Sequence, residues 1–422
     1  MGPAGWPFGQ GFDFNEVMRM LQSPGPVNWE LAHRVAAETS STDRETQQPA
    51  LENPIAASER DHIVDIVRAA QTHIANAPSL SHALGLSVEV IDRAEWARRT
   101  LVGLQPVLVA LAESISPDAD AAVDPIGGVA DEPLDPADNP FAGTPFEAMF
   151  PGVGPDMMAG MMSALSPVLL GWLAGALSGL LAQFALGQFD LPLPLAGEPA
   201  LAFVASNIDN FGRDWSLAAT DLRFALALRE VVHGAQRSVP WVRDRLVRLS
   251  SEYVRGYALR PEALEQQFSA FTSFDPSSID PTDPSSFENI DLPDPGALLD
   301  AMQTPEQQPV LEELQRFAAV LEGYADTVVD FVGEPLVPSL VQIEEALRRH
   351  RVDRGRAADF VDRMLGLELG REHYEQGHAF CRGVVERAGL EGLDRLWESE
   401  AMVPTPNEID APGLWLARID LE

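Results

Sequence analysis

The 422-residue chain reads as mainly α, a multi-helix single domain interrupted by long acidic loops. Three observations predict this class. Ala, Leu and Val dominate an apolar fraction of 45%, while aromatics make up 7%, a balance that favours helix over sheet. Apolar residues recur at three- and four-residue spacing along most of the chain. No strong alternating series marks a set of strands, and no repeat of fixed period is present.

Residues 1–24 read as a flexible leader with one short helical piece around Phe14 to Leu21, and 25–422 as one helical domain. Asn28 is placed to cap the first helix of the domain, with Leu31, Val35 and Ala36 on one face. In "SERDHIVDIVRAAQTHI" Ile63, Ile66, Val67 and Ala70 share a side. "DRAEWARRTLVGLQPVLVALAES" follows, with Trp96, Leu101, Leu104, Val107 and Leu108 apolar. Residues 115–155 and 272–296 are rich in Asp, Pro and Gly and have no period, so they read as solvated acidic loops. Their Asp spacing does not match an EF-hand calcium loop.

Between the loops, residues 157–189 carry no charge, and Gly171, Gly175 and Gly179 fall four apart, a close-packing face. Gln183 and Gln188, the many Ala and Gly, and the acidic flanks favour a buried core helix over membrane contact. Helical patterns then resume in "DWSLAATDLRFALALREVVHGAQRS", "PWVRDRLVRLSSEYVRGYAL", "QPVLEELQRFAAVLEGYADTVVDFVG", "PSLVQIEEALRRHR" and the C-terminal stretch 356–399.

The formal net charge is −35, and all 29 basic residues are arginine. A nucleic-acid binder needs a basic face, so that class is excluded. A chain without lysine also has no P-loop lysine, Schiff base or Ser–Lys dyad. The one cysteine, Cys381, forbids an intrachain disulfide; a buried structural thiol is expected there rather than a nucleophile. The N-terminus has no basic and apolar leader of the secretory kind, so the expected compartment is the cytoplasm.

One stretch carries the chemistry. "LALREVVHGAQRSV" is nearly H-E-x-x-H, the helical pattern in which two histidines one turn apart bind zinc and the glutamate activates the metal-bound water. Glu230 and His233 stand in register, but Arg229 takes the place of the first histidine, and a guanidinium offers no lone pair. Downstream, "LEGYADTVVD" puts Glu322 and Asp326 on one helical face.

The chain resembles an actinobacterial family described as zinc-dependent metalloprotease, zincin-like protein or hydrolase. The likeness rests on "GPVNWELAHRVA", "LREVVHGAQRSVPWVRDRL", "VLEGYADTVVD" and "MLGLELGREHYEQGHAFCRGVVERAGLEGLDRLWESEAMVPTPNEID", and spans roughly residue 11 to the C-terminus. It implies a zincin-like helix pair, zinc as cofactor and a peptide or protein substrate. It further implies His233 and Glu322 as metal ligands, Glu230 as general base and Asp326 as support behind the ligand. Arg229 departs from the motif and leaves two protein ligands where catalytic zinc normally has three.

Three readings of the stretch stay open: a relic in which Arg229 pairs with Glu322 across two packed helices, an altered metal site, or coincidence. The corresponding functions are a zinc-dependent metalloprotease with a degenerate R-E-x-x-H motif, or a non-catalytic pseudoenzyme that keeps the zincin frame as a binding scaffold. Among the other histidines, His33, His62, His73, His82, His350, His373 and His378, none is in sequence register with the site. His373 and His378 are five apart and do not share a face.

Overall fold

A computed structural model describes residues 25–42, 55–75, 85–115, 155–258, 295–352 and 356–420. The piece around Phe14 to Leu21, His82 and most of both acidic loops lie outside the described residues. The described residues are mainly α-helical, with a single two-stranded sheet. The chain forms two compact units. Met1–Leu31, Val109–Leu173 and Arg255–Gln307 make up one, and Ala32–Leu108, Ala174–Val254 and Gln308–Glu422 the other.

In the first unit, Asn28 caps helix α1 (Trp29–Ser40): its Oδ1 accepts from the backbone N–H of Leu31 at 3.0 Å. The Asn28 N–H donates to Pro167 O at 2.8 Å, and a Cβ at Gly171 would press on the Asn28 carbonyl. Val27, Ala112 and Leu170 bury one another, with Trp29 and Ile115 half-covering them.

The second unit holds the large core. Helix α2 (Ala57–Ala75) turns Ile63, Val67 and Ala70 inward. Strand β1 (Val88–Ile91) leads through the Asp92 cap into α3 (Arg93–Gly103). The apolar pattern from Asp92 to Ser114 is two helices rather than one: α3 ends at Gly103, and α4 (Gln105–Ile115) restarts around Pro106, whose ring and missing N–H do not suit a helix interior. The uncharged run forms α5 (Pro155–Ala182), which ends seven residues short of Phe189. A Cβ at Gly175 or Gly179 would strike the α1 residues around Ala32 and Ala36, so the small residues serve close helix contact. No helix among the described residues is long and apolar enough to cross a membrane.

After α5 the chain runs extended beside strand β2 (Leu201–Val204). Gln188 N donates to Ala202 O at 2.9 Å and Val204 N to Leu186 O at 3.0 Å. Strand β2 pairs in parallel with β1, Val88 opposite Leu201 and Ile91 opposite Val204. Helix α6 (Ala205–Asp214) follows, and Ser216, at φ 53°, turns the chain sharply. The helix expected from Asp214 therefore begins at Ala219.

That helix, α7 (Ala219–Ser238), buries every residue from Ala225 to Arg237, so it is a central helix with no solvent face. Next come α8 (Pro240–Arg255), α9 (Pro295–Met302) and α10 (Gln308–Gly333), the last buried without a break from Phe317 to Ala325. Helices α11 (Leu340–Val352), α12 (Arg356–Leu365), α13 (Arg371–Asp394) and α14 (Pro412–Ile419) complete the chain. Helices α2, α10 and α11 pack on α7, and α13 packs along α10. The α10–α13 contact is backbone-close: a Cβ at Gly323 or at Gly377 would strike the facing helix backbone.

Candidate functional site

Burial all round α7 has a consequence for its polar residues. Arg229, Glu230, His233, Gln236 and Arg237 are each at most 4% exposed, so each must find its partners inside the protein. Glu322 meets them from α10 at 1% exposure.

Arg229 donates from Nη2 to Glu322 Oε2 and from Nη1 to Asp326 Oδ1, gripping both carboxylates of the α10 face. Burial opposes the guanidinium charge, but Glu322, Asp326 and Asp190 outweigh it and hold Arg229 more basic than usual. Asp326 is the mirror case. Burial pushes it up, and Arg351 and Arg229 win, keeping it below its ordinary range.

His233 lies beside this pair. Gln236 Nε2 donates to Leu321 O at 3.0 Å, which turns its Oε1 toward His233 Nδ1 at 2.9 Å. Two contacts compete at Nδ1: Gln236 Oε1 calls for a hydrogen there, whereas Arg237 Nη1, 3.3 Å away, calls for a lone pair. Arg237 Nη1 then bonds the His233 carbonyl at 3.4 Å while its guanidinium carbon sits 5.0 Å over the Phe189 ring. Burial, then Arg229 and Arg237, pushes His233 well below its usual range, so it is neutral. Its Nε2 faces Glu322 Oε1 at 3.6 Å, and neither atom has a hydrogen-bond partner.

Glu230 is engaged elsewhere. Both its oxygens accept from Phe189 N, at 3.0 and 3.1 Å, and Gly187 lies so close that a Cβ there would strike the carboxyl. Burial pushes it up to about 8; the Phe189 N–H opposes this and Asp190 adds to it, so the group is neutral at pH 7. Burial likewise brings Arg237 down to about 10, with Glu322 and Glu230 acting against it. Asp190 accepts from Leu186 N at 3.1 Å and lies 3.6 Å from His350 Nε2.

The residues singled out by the motif are thus together in part. Arg229, His233, Glu322 and Asp326 form one cluster, whereas Glu230 is tied to the segment beside β2. Three members have no counterpart in the motif: Arg351 from α11, Arg237 and Asp190. A faint signal exists for Arg237, since Arg229, His233 and Arg237 fall four apart on one face of α7. Arg351 sits in "RRHR", which looks like a solvated basic turn, and nothing local marks it.

The residues do not fit a zinc centre. His233 Nε2 and Glu322 Oε1 are suitable donors, but the third position holds a guanidinium. Among the described residues no three His, Cys, Asp or Glu side chains converge on a metal position. The paired charges also balance without an ion: Arg229 and Arg351 against Glu322 and Asp326.

The remaining candidates are structural. Cys381 is fully buried, and burial, with Asp326, pushes its thiol well up, which opposes nucleophilic use. His373 Nδ1 accepts from Gly370 N at 3.1 Å at the start of α13. His378 Nε2 lies 3.2 Å from Asp330 on α10. His62 and His73 are exposed on α2.

The zincin-like metallopeptidase family matches residues 27–416. The chain belongs to that family. The zincin-like chain also superposes on the crystal structure of a Chloroflexus aurantiacus protein described as "a putative hydrolase with a novel fold", with a TM-score of 0.54 at 25% identity. The match covers 94% of the zincin-like chain and 99% of the other. No curated protein matches it.

Proposed function

We propose that this zincin-like protein is a non-catalytic member of its family, one that keeps the helical frame as a binding scaffold and has exchanged the metal centre for an ion-paired cluster. One observation carries the reading: the Arg229 guanidinium occupies the carboxylates that the motif would commit to the metal, Glu322 and its supporting Asp326. The burial of Glu230 against Phe189 and Gly187 supports it, because a general base must reach water or substrate. A net charge of −35 argues for cationic or neutral partners rather than nucleic acid, and a lone buried thiol suits the reducing cytoplasm.

The test is metal content and hydrolysis by the full chain purified without chelator. The expected result is zinc far below one ion per chain and no chelator-sensitive peptidase activity. About one zinc ion per chain, lost in His233→Ala, overturns the reading.

A second reading is favoured by His233 Nε2 and Glu322 Oε1, which face each other without hydrogen-bond partners and are spaced like two ligands of one ion. It makes the protein a metal-dependent peptide hydrolase with an altered site. The same measurement decides between the two.

A further inference from the structure

Arg229 is not alone on its carboxylates. Arg351, in the last turn of α11, donates from Nη1 to Glu322 Oε2 at 3.2 Å and from Nη2 to Asp326 Oδ1 at 3.5 Å. Arg229 donates to the same two oxygens. Two planar forks from two helices therefore bridge one carboxylate pair on a third, and the arginine side chains are only 5% and 6% exposed. Arg351 also lies against the Tyr374 ring, its guanidinium carbon 5.2 Å from the centroid.

We infer that Arg229 and Arg351 together replace the divalent ion of the zincin frame, so that metal is excluded by two residues, the second of which no motif contains. The inference rests on the non-catalytic reading above and adds to it that histidine at 229 does not by itself restore a metal site.

The reason is charge and lone pairs. Two guanidiniums bring the two positive charges that a divalent ion would bring. With Arg229 changed to a neutral ligand, Arg351 still faces Glu322 and Asp326, one positive charge short of balance, so a divalent ion leaves the buried cluster positive. Arg351 would also keep its hydrogen bond on Glu322 Oε2. With both arginines neutralised the deficit is two charges, which one divalent ion cancels.

The experiment uses the full-length chain and zinc alone as the probe. Wild type, Arg229→His and Arg229→His/Arg351→Gln are incubated with zinc, gel-filtered and assayed for zinc per chain. Each is then melted with zinc or with chelator. The double variant is expected to retain about one zinc per chain and to melt higher with it, and Arg229→His alone to bind at least about tenfold more weakly. Equal binding by the two variants, or a folded double variant that holds no zinc, overturns the inference. Zinc on the wild type instead overturns the reading it rests on.

Should Arg351→Gln fail to fold in the double variant, denaturant unfolding of Arg351→Gln, Asp326→Asn and their combination decides. Arg351→Gln alone should lower the folding constant on the order of a hundredfold, with most of the loss recovered by Asp326→Asn. Strictly additive losses overturn the inference.

Discussion

At the scale of single residues, the cluster on α7 shows how burial sets charge. Glu230 has a carboxyl that stays protonated to about pH 8, against 4.5 when the chain is unfolded. Between those values the folded state holds a proton the unfolded state has released, so stability is fully present below the lower value and is lost as pH rises toward the upper. Each pH unit in that window removes up to about 1.4 kcal/mol. Glu230→Gln removes the ionisation, so its melting temperature should fall less steeply than wild type between pH 5 and 8; parallel slopes would show that Glu230 is not the group responsible. Asp326 and Asp190 act in the opposite sense. Their folded values lie below the ordinary 3.8, so their contribution is present above that value and disappears on acidification. Stability should therefore peak in mildly acidic solution, which a melting series across pH checks. At this scale the sequence shows which residue types stand where: Arg229 cannot be a ligand, and Glu322 shares a face with Asp326. It does not show that Arg351 joins them, because that pairing spans 29 positions and exists only once α10 and α11 pack.

At the scale of elements, the helical reading extends furthest where the apolar period is long. The stretch from Gln308 to Gly333 is read end to end, since its period runs unbroken and nothing inside it stops a helix. The strands are not legible. "LAFV" is four residues, apolar throughout and buried on both faces, and such a run looks like any fragment of a core helix. The turn at Ser216 is hidden for another reason: a left-handed serine is a tertiary compromise that local preference does not favour. The packing of α10 on α13 gives a sharp test. Gly323→Ala places a methyl against the Gly377 backbone, which cannot yield as a side chain would. The expected loss is about 1–3 kcal/mol, seen as a lower denaturation midpoint. Gly85→Ala, where a Cβ meets open space, should stay within about 0.5 kcal/mol of wild type. Similar losses at both positions would mean that the close helix approach is not the cause.

At the scale of the whole chain, the dominant property is a charge of −35. Self-repulsion of that size opposes compact structure, and salt screens it. Between about 0.01 and 1 M salt the Debye length falls from about 30 to about 3 Å. The melting temperature should rise over that range despite the loss of surface ion pairs such as Arg98 with Glu95, which contribute little. A melting temperature that falls instead would put the surface pairs ahead of the net charge. Under the proposed non-catalytic reading the buried arginine pair belongs to this scale as well, because it changes what the protein depends on. An ion is supplied from outside, is contested by other proteins and is withdrawn by chelators or scarcity. A guanidinium is made with the chain, arrives at a ratio fixed by translation and cannot be exchanged. A protein built this way is ready as soon as it folds, and its abundance should not change when cells are starved of zinc.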